Sequence, residues 1–168
     1  MTDTEDIQKR LTQTALRYLG YRARLEGEIV KRLELEIKKK KYGTAGEKLI
    51  PVVVDKLKKM NLIDDVQFIK DFIEYQLESK LKGPYFITQR LTQLGADPES
   101  IKPLMSQLID REKEGTAIDQ VIQRKYPQGI TDQKDKIKLY HQLKSRGFSY
   151  QLIREKIDAS VSNRVQYS

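Results

Sequence analysis

The chain contains no cysteine, so neither a disulfide nor a thiolate metal site can contribute to it, a composition that agrees with a reducing cytoplasm. No stretch approaches the roughly 20 apolar residues needed to span a bilayer. The opening MTDTEDIQKR lacks the apolar region of a secretory signal, and a cytoplasmic location is expected. Catalytic vocabulary is equally thin. There is no phosphate-binding glycine loop, no zinc-protease pair of histidines and no cysteine nucleophile, and the single His141 falls within a helical pattern beside Tyr140. The reading is a non-enzyme that needs no cofactor and no metal. Strand signals are almost absent too: Val52, Val53 and Val54 form a β-branched run, but no second run exists to pair with it.

What the chain has in abundance is charge. It totals +8 over 168 residues, with 33% charged and 38% hydrophobic positions. The distribution says more than the sum. Residues 1–30 are neutral, and 31–60 hold ten Lys or Arg against four acids. Residues 61–110 hold five against eight, and 111–168 twelve against seven. Two basic flanks therefore enclose an acidic middle, which favours a polyanionic partner or an acidic protein groove. The same lysines also suit solvated helix faces.

Apolar residues recur at helical spacing throughout. Helices are predicted over about 6–21 (Ile7, Leu11, Ala15, Tyr18, Leu19), from Leu25 through Ile29, Leu33 and Ile37, and then, after a Gly-containing loop, to residue 60 through Val53 and Leu57. Pro51 costs too much in a helix interior, so the third helix is placed to start near Ile50, with Gly46 to Ile50 as a turn or loose helical turn. Further helices are expected at about 65–80, 84–94, 98–112, 116–126, 132–146 and 150–158. Glu114 and Gly115 are read as a break, and Tyr126 before Pro127 as a helix end.

The stretch from Leu57 to Gly95 organises this pattern. A helix ends at Met60 and Asn61, Asp64 is placed to cap the next one, and Phe68, Phe72 and Tyr75 recur along it. After Gly83 and Pro84 a helix with Ile87 and Leu91 stops at Gly95. Leu143, Gly147, Phe148, Ile153 and Ile157 then echo Leu91, Gly95, Ala96, Ile101 and Met105. The fold class that follows is all-α: three tandem three-helix repeats at 6–60, 61–112 and 113–158, stacked into an elongated, curved array, with a flexible tail at 159–168.

Candidate interface residues are cations near helix corners. Arg17, Arg22, Arg24, Lys31 and Arg32 flank the first corner with Tyr18 and Tyr21 interleaved, where arginines could grip phosphates or carboxylates and tyrosines could stack. Lys38, Lys39, Lys40 and Lys41, with Lys56, Lys58 and Lys59, form the densest basic region, and Lys144, Arg146 and Arg154 repeat it at the last corner. Adjacent Asp64 and Asp65 supply too few oxygens for a metal, so capping is the expected role of Asp64.

LIDDVQFIKDFI (62–73) followed by KGPYFITQRLTQLGADPESI (82–101) resembles the central signature of the RecX family of bacterial recombination regulators. ALRYLGYRARLEGEIVKRL upstream resembles its opening helix pair. AIDQVIQRKYP and KIKLYHQLKSRGFSYQLIREKI downstream resemble its last repeat, so the resemblance covers roughly residues 14–158. Gly83, Ile87, Leu91 and Gly95 match a spacing that is chiefly structural. Two positions depart: Leu25 stands where the family has a Ser cap three residues before Glu28, and Phe86 where it often has Arg, leaving Arg90 as the nearest cation. The resemblance implies a monomeric protein that binds the RecA recombinase filament and modulates, most often inhibits, its recombination and ATPase activities within DNA repair and the SOS response, with DNA contact possible inside the complex. A direct DNA binder using helix-turn-helix-like basic corners is the alternative, and a scaffold with a merely solubilising surface a weaker one.

Overall fold

The computed structural model describes residues 4–165, and among them there is helix and no strand. The order is α1 (Thr4–Leu19), α2 (Glu26–Lys40), α3 (Gly43–Glu47), α4 (Ile50–Lys59), α5 (Asp65–Glu74) continued by a π-helical turn (Tyr75–Ser79), α6 (Pro84–Gln93), α7 (Pro98–Leu108), α8 (Arg111–Lys125), α9 (Gln133–Ser145) and α10 (Tyr150–Val165). Contacts group the chain into two compact units. One runs up to Ile69 and takes in Leu94–Ala96; the other comprises Lys70–Gln93 and the chain from Asp97.

In the first unit α1, α2 and α4 pack mutually. Ile7, Leu11 and Ala15 of α1 meet Ile29, Leu33 and Ile37 of α2 and Val53, Val54 and Leu57 of α4, all buried, with Leu49 and Ile63 closing the ends. Pro51 lies in the first turn of α4, where its missing N–H would have no partner in any case, as expected, but the short helix before it, α3, lies at Gly43–Glu47 within the predicted Gly-containing loop, and Lys48 and Leu49 form a turn. In the second unit α8 packs on α9, α10 and the π-turn, and α6 packs on α7. Its buried residues include Ile87, Leu91, Ile118, Val121, Leu139, Leu143, Phe148, Ile153 and Ile157.

Three expectations change. The buried stripe of α5 and the π-turn that continues it is Ile69, Ile73 and Leu77; Phe68 and Phe72 are half-buried and Tyr75 is half-exposed, one residue off the predicted face. The predicted break at Glu114 and Gly115 lies instead at Ile109 and Asp110, where Ile109 turns extended and Asp110 accepts from the Lys113 amide at 2.8 Å to start α8. Gly115 is not a breaker but a packing position: a Cβ there would come 2.9 Å from Cε of Lys156 on α10. The last helix, finally, runs to Val165, so residues 159–165 of the predicted tail are helical, and 166–168 lie outside the described residues.

The echo between helix corners is physical. Asn61, Gly95 and Gly147 all take positive φ (56°, 92° and 84°), each four residues after a buried leucine: Leu57, Leu91 and Leu143. A left-handed residue ends each helix, and the next begins three or four residues later. The Asp64 carboxylate accepts from the Gln67 amide at 3.0 Å, as the sequence predicts, and Asp97 from Glu99 at 3.2 Å.

The two glycines predict different sensitivities. Gly95 has open space beside it, so Gly95→Ala should cost only the left-handed penalty of roughly 1–2 kcal/mol. At Gly147 a Cβ would fall on the amide N of Phe86, so Gly147→Ala should lower the urea midpoint considerably more at unchanged m-value. Asp64→Ala should cost about 0.5–2 kcal/mol in the same assay, and divalent metal should not alter wild-type stability.

Candidate partner interface

The first corner is built around Glu28. Leu25 has no side-chain oxygen with which to cap α2, but its amide donates to Glu28 Oε2 at 3.0 Å, so half of a capping box survives. The other N-terminal donor is met from 39 residues away: the Glu26 amide donates to Asp65 Oδ1 at 2.7 Å. The adjacent aspartates thus have separate tasks, Asp64 on its own helix and Asp65 on α2. Burial holds the Asp65 carboxyl above its usual range despite that hydrogen bond. No cluster of three metal-ligating side chains occurs among the described residues.

Glu28 also gathers arginines. Arg22 Nη2 donates to Oε1 at 2.6 Å and Arg24 Nη1 to the same oxygen at 3.5 Å. The Arg24 guanidinium lies 4.0 Å from the centre of the Tyr18 ring, with Arg32 at 5.9 Å, and Arg24 Nε has no hydrogen-bond partner. Stacking on Tyr18 replaces solvent on that face of Arg24. Arg22 and Arg24 are therefore engaged within the fold.

The remaining cations of this corner converge. Arg17, Tyr18 and Thr14 of α1, Tyr21, and Glu28, Lys31, Arg32, Leu35, Glu36, Lys39 and Lys40 of α2 line an open groove of about 680 Å³. The lysine run divides because consecutive helical residues point about 100° apart. Lys39 and Lys40 enter this groove, whereas Lys38 and Lys41 border another of about 880 Å³ with Val30, Glu34, Ile50 and Pro51. Lys58 and Lys59 are paired with Glu26 and Asp55. Lys56 lines a small cleft with Gln8 and Lys9.

The last corner, in the second unit, is different. Arg146 Nη1 donates to the Lys80 and Leu81 carbonyls at 3.0 and 3.1 Å, which makes it a clip for the segment leaving the π-turn, where Leu81 takes φ 52°. Gly83 N donates to the Arg146 carbonyl and Tyr85 N to that of Gly147 at 2.8 and 3.0 Å; a Cβ at Gly83 would collide with Gly147. Around this junction cations lie over rings: Lys82 over Phe86 at 4.5 Å, Lys144 over Tyr150 at 5.3 Å and Lys80 over Tyr75 at 5.5 Å. Burial, then the Arg146 charge, hold the Lys82 ammonium below its usual range. Lys80, Lys82 and Tyr150 escaped the sequence reading because nothing local joins residues 80–86 to 144–150. Arg154 and Arg90 are exposed, Arg90 donating to Gln93, and His141 is exposed beside Tyr140.

Two measurements follow. Burial raises the Glu28 carboxyl, but the hydrogen bonds from Arg22 and Leu25 and the arginine charges outweigh it and leave it below its usual range. A lowered folded pKa contributes stability that is present above the ordinary glutamate value and lost as pH falls through the folded one. Glu28→Gln should therefore flatten the acid limb of stability against pH. Arg146→Ala should lower the thermal midpoint, and Lys144→Ala should leave the unfolding free energy within about 0.5 kcal/mol of wild type.

No family model matches the chain. Curated relatives do. A regulatory protein RecX from Streptococcus agalactiae is 31% identical over 138 residues, 82% of this chain and 50% of that one. One from Lactococcus lactis is 32% identical over 158 residues, 89% of this chain and 56% of that one. The chain thus spans about half the length of the curated relatives it matches. The crystal structure of RecX from Lactobacillus salivarius shares the fold with TM-score 0.74 at 21% identity, over 92% of this chain and 97% of that one. A second crystal structure, of a regulatory protein RecX, has TM-score 0.69 at 26% identity, over 93% and 73%. The same helical fold and this level of identity along most of its residues make the chain a member of the RecX family.

Proposed function

We propose that the chain is a regulatory protein that binds the RecA recombinase filament and modulates it, in the inhibitory direction, through basic surfaces on its helix corners. The observation that carries this reading is the family membership, reached along nearly the whole chain, together with an all-helical frame in which Arg17, Lys31, Arg32, Lys39 and Lys40 line one groove. The three tandem repeats read from the sequence are part of the proposal: repeats that each touch a filament subunit convert weak contacts into avidity. The chain acts by binding, without a catalytic group or cofactor of its own, as a monomer in the cytoplasm, within the recombinational DNA repair that follows the SOS response.

A second reading, direct binding to DNA, draws support from the junction in the second unit. Lysines laid over Phe86, Tyr75 and Tyr150 combine π-faces with phosphate-seeking charge, the pairing used by single-strand binders.

Titration of the chain into RecA on single-stranded DNA, following ATP hydrolysis, separates the two. Inhibition is expected, with tighter binding to the filament than to the same DNA alone at near-physiological salt. Replacing Lys31, Lys39 and Lys40 together with Ala should weaken inhibition with helicity retained, because exposed cations contribute little to folding. The set Lys144 and Arg154 tests the last corner; Arg146 is left in place because it holds two carbonyls. Equal affinity for DNA and filament, with no effect on turnover beyond competition for DNA, would favour the DNA binder.

A further inference from the structure

The groove beside α1 and α2 has the dimensions and pattern of a seat for a third helix. The two helices pack together, α4 covers one side of their seam, and along the other the groove is lined, among the described residues, by α1, α2 and their corner alone. The contributions of α1 are helical in register, Thr14, Arg17 and Tyr18 at i, i+3 and i+4, Tyr21 follows in the turn, and α2 contributes two rows of residues four apart. From Glu28 to Lys40 the wall is about 18 Å long, roughly three turns of a docked helix.

The chemistry of the rows selects the occupant. One row reads Lys31, Leu35, Lys39, two cations about an apolar residue, and the other Glu28, Arg32, Glu36, Lys40, acids alternating with cations, its first acid already held by Arg22 and Arg24. Leu35 is 60% exposed and Tyr21 85%, apolar surface left facing water at the centre and mouth of a charged groove. A phosphate backbone would present uniform negative charge, gain nothing from Leu35 and meet the Glu36 carboxylate. A helix with two acids eight residues apart and an apolar residue midway would satisfy Lys31 and Lys39 and cover Leu35 at once.

We infer that this groove docks an acidic amphipathic helix of a protein partner, with Lys31 and Lys39 pairing its acids and Leu35 its apolar residue. The inference rests on the proposed binding of a protein partner and names the surface and the kind of segment that engage.

The probe is a helix-stapled peptide with two glutamates eight residues apart and a leucine midway, titrated into the full chain by fluorescence anisotropy. Comparison ligands are the same peptide with lysines for glutamates and a short oligothymidine. The glutamate peptide should bind most tightly. Lys31→Glu with Lys39→Glu should weaken it at least tenfold and transfer preference to the lysine peptide, and Leu35→Ala should weaken it without changing helicity. Binding indifferent to the charge reversal overturns the inference. So does tighter oligothymidine binding abolished by the same reversal, which would make the groove a nucleic-acid site. Adding the glutamate peptide to the chain on RecA-coated DNA tests the link to function. If it relieves inhibition, the groove is the recombinase contact. If inhibition persists unchanged in the reversed variant, the groove is not that contact while the regulatory reading stands. If the peptide binds as described and the chain leaves RecA turnover untouched, the regulatory reading fails and the helix seat stands.

Discussion

Every helix corner leaves backbone donors and acceptors that the helix itself cannot satisfy, and in a chain made almost wholly of helices this demand recurs more often than any other. Here three of the corners are satisfied by side chains from far along the sequence. Asp65 takes the first free amide of α2, Glu114 takes the Ser149 amide at 2.7 Å where α10 begins, and Arg146 gives its guanidinium to the carbonyls of Lys80 and Leu81. Glu114 is almost completely buried to do so. A charged group in such a position is held by its hydrogen bonds and in turn fixes the angle at which two helices leave the corner.

These assignments sort the charges of the protein. Those recruited to helix ends or paired within the fold, among them Arg22, Arg24, Arg146, Lys58 and Lys156, are spent on architecture. Arg17, Lys31, Arg32, Lys39 and Lys40 remain to line one groove. A high count of lysine and arginine is thus a poor guide to an interface. The arginines at the first corner look the most functional from their spacing beside tyrosines, yet Arg24 uses Tyr18 as a cushion and Glu28 as an anchor.

Close backbone approach is the second constraint. Gly83 and Gly147 let residues 80–86 and 144–150 cross with their peptide groups in direct hydrogen bonding, and Gly115 lets the Lys156 side chain lie across α8 toward Asp119, 2.5 Å away. The cation and ring pairs around the Gly83–Gly147 junction exist because of that approach. Only at Gly147 does the backbone conformation also demand glycine.

The sequence by itself determined the all-helical class, the placement of most helix ends and the core stripes of α1, α2 and α6. These rest on local rules of periodicity, capping and proline geometry that operate within a few residues. The helix ends at Gly95 and Gly147 were legible for the same reason, and so was Asp64 as a cap. The buried face of α5 was not, because Phe68 and Phe72 are as apolar as Ile69 and Ile73, and only packing chooses between neighbouring stripes. Gly115 reads as a breaker until α10 is seen to lie against it. The candidate interface divided in the same way: spacing alone puts Lys31, Leu35 and Lys39 in a row, but that the row faces an open groove, while Arg146 and Arg24 turn inward, depends on contacts between residues up to 66 positions apart. Tertiary structure decided which charges are engaged within the fold and which line the groove, because an ion or a helix end is satisfied by whatever the fold brings within about 3 Å, regardless of distance along the chain.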